Sequence, residues 1–186
     1  METSNILIVD DEPSVIQALK RSFLDDPYNV YTAISATEGL EILAANEIKV
    51  VISDEMMPGM AGADFLAKVR TSFPAIVRIM LTGHASLSAA IKAINKGEIY
   101  RFFMKPWNDL ELRFAVKSAV EKFDLEKDNQ RLLDIVRKQA LNLKLIEKEF
   151  PGITQLEYDE KGRIIVDDVS DEEVEMLVAQ LVEEYR

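Results

Sequence analysis

Apolar residues fall along this chain in short unbroken runs, and longer stretches at helical spacing separate them. Asn5 to Val9 is the first run, followed by Asp10-Asp11-Glu12-Pro13. Pro13 suits the first turn of a helix, where its missing N–H costs nothing, and Val15, Ile16, Leu19 and Phe23 follow on one face. Asn29 to Ile34 alternates as a strand does. Ser35 and Glu38 then form a capping-box pair ahead of Leu40 and Leu43. Lys49 to Asp54 is the central run: Val50-Val51-Ile52 reads as a strand buried on both faces, and it ends in a carboxylate. Pro58 and Gly59 stop it. Ala63 to Val69 is predicted helical, with Phe73-Pro74 as its stop. Ile76 to Leu81 is a fourth strand, ending in Thr82-Gly83-His84. Leu87 to Asn95 is predicted helical and closed by Gly97. Tyr100 to Met104 is a fifth strand, ending in Lys105-Pro106.

Strand and helix thus alternate five times, which predicts βαβ units and a parallel sheet with helices on both faces. Right-handed crossovers then bring the carboxyl ends of all five strands to one edge. Open sheets of this kind bind ligands there. Asp10, Asp11, Asp54, Thr82 and Lys105 all fall at that edge.

Composition narrows the options. Forty-eight per cent apolar and thirty per cent charged residues are ordinary for a globular domain. No run is long and apolar enough for a membrane span, and no signal peptide is predicted. The absence of cysteine rules out disulfides and a cysteine nucleophile and fits a cytoplasmic protein. With one histidine, His84, the chain cannot build a histidine-rich metal site. A net charge of −11 argues against nucleic-acid binding by the whole chain. Eleven acidic and three basic residues lie between Glu157 and Arg186, so −8 of that charge sits in the last thirty residues. This shift suggests a boundary near Pro151-Gly152.

Three carboxylates at one edge need a compensating charge. A hard divalent cation held by oxygens supplies it, and Mg²⁺ takes one or two carboxylates while keeping waters. Lys105 adds an ammonium and Thr82 a hydroxyl. A phosphoryl group arriving at Asp54 would meet all three, and a carboxylate can attack phosphorus to form an acyl phosphate.

The ordered set Asp10-Asp11, Asp54 with Met57-Pro58-Gly59, Thr82-Gly83 and Lys105-Pro106 resembles the receiver domain of two-component response regulators, over residues 1 to about 124. That resemblance implies a flavodoxin-like (βα)₅ doubly wound sheet. It implies Asp54 as phosphoacceptor, Asp11 as a direct Mg²⁺ ligand, Asp10 acting through water, and the Met56 backbone carbonyl completing the metal shell. Thr82 and Lys105 would hold the phosphoryl oxygens, Pro106 would follow a cis peptide bond, and Thr82 with Phe102 would form the switch. Met56 and His84 would face the opening and set the phosphoryl lifetime. A phosphohydrolase with an aspartate nucleophile would need a second aspartate where Met56 stands, so an enzyme of that class is not expected.

Asn108 to about Glu149 reads as one helix without Pro or Gly, roughly 60 Å long at the usual rise. From Leu125 a heptad pattern sets in. Leu125, Leu132, Gln139 and Ile146 occupy one seam position, and Asn129, Val136, Leu143 and Phe150 the other. An Asn at such a seam favours a parallel two-stranded register. Ile153 to Tyr158 and Arg163 to Val166 flank a Gly-containing turn as a β-hairpin. Ser170 and Glu173 then cap a helix whose face is Val174, Leu177, Val178, Leu181, Val182 and Tyr185. The expected division is a receiver over 1–124, a coiled-coil linker over 125–150 and a hairpin–helix dimerisation or docking unit over 151–186.

The expected function is a response regulator that takes a phosphoryl group from a histidine kinase or phosphotransfer protein. It would signal as a parallel homodimer, or through a downstream protein partner, without nucleic acid or membrane. The alternatives are a constitutive dimeric scaffold with a silent receiver, or the regulatory part of a longer response regulator whose output domain is missing.

Overall fold

The computed structural model describes residues 3–83 and 99–150, together with the backbone of 157–158 and 164–165. The chain divides into two units, Met1–Leu132 and Leu133–Arg186.

In the first unit the elements are β1 (Ser4–Val9), α1 (Pro13–Ser22), β2 (Tyr28–Ala33), α2 (Ala36–Ala45), β3 (Val50–Asp54), α3 (Gly62–Ser72), β4 (Val77–Thr82) and β5 (Arg101–Met104). Helix α4 (Asp109–Glu149) follows and runs on through the division into the second unit. The strands form one five-stranded sheet in the order β2-β1-β3-β4-β5, and every pairing is parallel. Ile52 pairs with Ile8 on one side and Ile79 on the other, which places β3 at the centre.

Alternation along the strands divides the core in two. Leu7, Val9, Val51 and Met80 pack with Leu43 of α2 and Phe65, Leu66 and Val69 of α3. Ile6, Ile8, Ile52 and Ile79 pack with Ile16 and Leu19 of α1 and Leu112, Val116 and Phe123 of α4. Helices thus cover both faces, and every residue of β3 is buried. Burial on both faces is why that strand reads as a continuous β-branched run.

The local signals act largely as the sequence predicts. Pro13 opens α1. Ser35 caps α2 by accepting from the Glu38 amide, while the Glu38 carboxylate accepts from Ile34 N at 2.8 Å, one residue before the usual capping-box partner. Phe73 ends α3. Asn108 caps α4 by accepting from the Leu110 and Glu111 amides. The predicted helix at 87–95 lies outside the described residues.

Polar side chains fasten the first part of α4. Asp109 accepts from Ser22 Oγ at 2.6 Å and from Trp107 Nε1 at 2.9 Å. Arg113 makes two bonds to Asp26, at 2.8 and 3.0 Å. Lys49 pairs with Asp124 at 2.8 Å, and Lys127 pairs with Glu47. After Phe123 no described residue of the helix is buried, and Leu125, Leu132, Val136, Leu143, Ile146 and Phe150 are all exposed. Asn129 and Gln139 are exposed with them.

In the second unit, β6 (Glu157–Tyr158) and β7 (Ile164–Ile165) pair antiparallel, Glu157 with Ile165 and Tyr158 with Ile164. This is the hairpin that the turn signals predict. The helix predicted after Ser170 lies outside the described residues.

Candidate phosphoacceptor site

The strand order reverses between β1 and β3, and the crevice at their carboxyl ends is where such sheets place ligands. Asp10 follows β1 and Asp54 ends β3. Asp10 is completely buried and Asp54 is 4 % exposed. Lys105, just past β5, reaches across the edge and joins them. Its Nζ stands 2.7 Å from Asp10 Oδ2 and 2.6 Å from Asp54 Oδ1. The other carboxylate oxygens are held by backbone amides, Asp10 Oδ1 by Glu12 N at 2.9 Å and Asp54 Oδ2 by Met56 N at 2.6 Å. Asp54 is therefore fixed in orientation, with one oxygen on an ammonium and one on its own loop.

The electrostatics follow from burial. Loss of water pushes the Asp10 carboxyl above its ordinary range, against the lowering influence of Lys105 and the Glu12 amide. Burial pulls the Lys105 ammonium down, but its bonds to Asp10 and Asp54 outweigh that, so it stays charged to higher pH than usual. One cation thus holds two buried anions together.

Of the other residues singled out from sequence, Thr82 ends β4 fully buried, and its hydroxyl donates to the Gly83 carbonyl at 3.1 Å. Phe102 pairs with Met80 and is half-buried against the α2–α3 side of the core. The Lys105–Pro106 peptide is cis. Met56 is 69 % exposed, and Asp11 is half-buried. His84 lies outside the described residues. Among those described, no three carboxylate, imidazole or thiolate groups converge as a metal cluster. The oxygen donors that Lys105 brings together are the carboxylates of Asp10 and Asp54. These hard oxygens suit Mg²⁺, which needs few protein ligands and keeps its waters.

Two further residues shape the edge without any clear mark in the sequence. Glu55 is 6 % exposed, and its carboxylate accepts from Ala63 N at 2.9 Å. Gly62 opens α3 directly against the Asp54 backbone: a Cβ there would lie 2.0 Å from the Asp54 carbonyl oxygen. A glycine four residues beyond Pro58 is the one sequence hint of such a close approach.

The sequence profile of the response regulator receiver domain matches residues 6–117, more than half of the chain. The chain belongs to the response regulator receiver family. The hydrogenase transcriptional regulatory protein HoxA of Cupriavidus necator is 37 % identical over 129 residues, covering 69 % of this chain and 27 % of HoxA. The C4-dicarboxylate transport transcriptional regulatory protein DctD of Rhizobium meliloti is 30 % identical over 175 residues, covering 94 % of this chain and 36 % of DctD. The chain thus spans only about a third of the length of these curated relatives. Among solved structures, the signal receiver domain of an HD domain-containing protein from Pseudomonas fluorescens Pf-5 is 38 % identical with a TM-score of 0.65, covering 69 % of this chain and 94 % of that one. A response regulator receiver domain protein from Clostridium thermocellum is 36 % identical with a TM-score of 0.62, covering 66 % and 98 %. The flavodoxin-like receiver fold expected from the motif set is therefore the fold of this chain. Receiver domains are signalling domains that interact with histidine kinases or phosphotransfer proteins, and they generally bind Mg²⁺ at the phosphorylation site. No helix among the described residues is long and apolar enough to cross a membrane.

Proposed function

We propose that this receiver accepts a phosphoryl group on Asp54 and passes the change to a homodimer formed through α4. The observation that carries the reading is Lys105 set between Asp10 and Asp54 at the switch point of the sheet. In the reaction, Asp54 Oδ1 attacks phosphorus, a new O–P bond forms, and the N–P bond of a phosphohistidine donor breaks. The leaving imidazole keeps the electron pair and takes up a proton. Lys105 would balance charge on the phosphoryl oxygens, and Thr82 would hydrogen-bond one of them. Asp10, Asp11, Asp54 and the Met56 carbonyl would hold Mg²⁺, which supplies charge screening for the attack on phosphorus. Met56 and His84 would govern access of water to the acyl phosphate. Thr82 and Phe102 would relay the change towards α4.

The dimer part rests on the exposed seam of α4. Leu125, Asn129, Leu132, Val136, Leu143 and Ile146 recur at heptad spacing, and all are exposed among the described residues. A parallel coiled coil would cover them, with Asn129 fixing the register. Residues 1–124, 125–150 and 151–186 would then act as receiver, linker, and dimerisation or docking unit. Through the dimer the chain would engage a downstream protein partner, without nucleic acid, in the cytoplasm.

A second reading is favoured by length. The relatives are named transcriptional regulatory proteins, and the segments they share with this chain cover only 27 to 36 % of their length. On that reading the chain is the regulatory part of a longer regulator and its effect falls on an output domain elsewhere. The test common to both is incorporation of label from a small phosphodonor. Incorporation that requires Mg²⁺ and is released by hydroxylamine supports phosphorylation of a carboxylate. No incorporation by folded protein would move the chain to the silent-receiver class.

A further inference from the structure

We infer that Glu55 is a positioning residue for the phosphoacceptor loop, acting as a cap on α3 from outside the helix. The residue before that helix, Ala61, has no side chain that can cap it, and it makes no capping bond. Glu55 takes over both duties. Its backbone carbonyl accepts from Gly62 N at 2.9 Å, and its carboxylate accepts from Ala63 N, also at 2.9 Å. Two amide donors that an α-helix leaves unpaired at its start are thereby satisfied by one residue.

The consequence reaches Asp54. Glu55 N donates to Leu81 O at 2.9 Å, so the same residue is pinned to β4 on its other side. Gly62 rests against the Asp54–Glu55 peptide, too closely for any Cβ. Residues 55–62 are thus a loop whose two ends are tied together by Glu55. Inside it lies Met56, whose amide holds Asp54 Oδ2. The inference rests on Asp54 with Mg²⁺ as the reaction centre. It adds that the carboxylate of Glu55 keeps the loop, including the Met56 carbonyl, in the arrangement that binds the cation.

Mg²⁺ titration of the full chain, followed by Trp107 fluorescence and by calorimetry, tests this on the wild type and four variants. Glu55→Ala removes the cap from the acceptor side. Ala63→Pro removes the donor N–H in a first helical turn, where proline is tolerated. Glu55→Gln keeps an acceptor oxygen without the charge. The apparent Mg²⁺ dissociation constant is expected to rise about tenfold in Glu55→Ala and in Ala63→Pro, as for loss of one ordinary helix cap. The double variant is expected to be no weaker than either alone, and Glu55→Gln to stay within about threefold of wild type, as for exchange of a charged acceptor for a neutral one. Amide exchange at Ala63, measured without Mg²⁺, should quicken in Glu55→Ala only. Glu55→Ala binding Mg²⁺ like wild type would overturn the inference, and so would Glu55→Gln binding as weakly as Glu55→Ala, which would assign the effect to charge. A wild-type chain that binds no Mg²⁺ would instead remove the reaction-centre reading, and the inference with it.

Discussion

Replacing Lys105 by Met should separate the roles of the ammonium in holding the fold and in holding the site. In the present structure one cation bridges two carboxylates, Asp10 and Asp54, at 2.7 and 2.6 Å. The lysine side chain is 22 % exposed and the carboxylates 0 and 6 %, so solvent screens little of the interaction. At an effective dielectric constant of about 20, each contact is worth about 6 kcal/mol before desolvation. Desolvation offsets most of that, but removing one partner of a buried set leaves uncompensated charge and costs about 3–5 kcal/mol. Lys105→Met is therefore expected to lose about 3–5 kcal/mol in urea unfolding at pH 7 without Mg²⁺. Part of the loss should return with Mg²⁺, which offers a cation to the same oxygens. Part should also return on acidification. A carboxyl raised by folding stabilises the fold as pH falls through the interval between its unfolded and folded values, and Asp10 is already raised with Lys105 in place. The ammonium works in the opposite range. Its pKa is raised by folding, so its stabilisation is complete at neutral pH and is lost as pH rises past the ordinary lysine range. The variant should lack that alkaline loss. A Lys105→Met protein within about 1 kcal/mol of wild type at pH 7, with an unchanged pH profile, would refute the reasoning.

Three other outcomes follow from the same structure. Gly62→Ala puts a methyl 2.0 Å from the Asp54 carbonyl oxygen, so the loop or helix must shift. Thermal and urea unfolding should show a loss of about 2–3 kcal/mol, the cost of forcing a group into filled space. Leu132→Asp with Val136→Asp places charge at two seam positions, and sedimentation should report a monomer if the wild type is a coiled-coil dimer. Asp124→Lys should cost about 1 kcal/mol or less, because its pairing with Lys49 is partly exposed, and adding Lys49→Asp should recover the loss.

How much of this could be read from the residues alone depends on where each one's partners lie. Asp10, Asp54, Thr82 and Lys105 stand at the ends of apolar runs, and parallel winding forces those ends to one edge. Their gathering is therefore local pattern plus topology. That the Lys105 ammonium touches both carboxylates could not be read, since it depends on the path of the chain across β4 and β5. Glu55 was invisible for a different reason: an acid after a strand end reads as a solvated loop residue, and only α3 packing over it makes it a buried cap. The fasteners of α4 pair residues about eighty positions apart, such as Lys127 with Glu47, and charge alone does not choose among so many exposed partners. The long helix was legible because Asn108 to Glu149 holds no Pro or Gly, and the apolar positions expected to form its seam are exposed.

The most direct test of the account is to locate the phosphoryl group. The full chain would be incubated with a small phosphodonor and Mg²⁺, its mass measured intact, and the acyl phosphate then trapped by borohydride and mapped by peptide fragmentation. The account predicts one added phosphoryl group, trapped at Asp54, absent without Mg²⁺ and absent in Asp54→Asn. A folded wild type that gains no mass, or one whose label survives in Asp54→Asn, would contradict it.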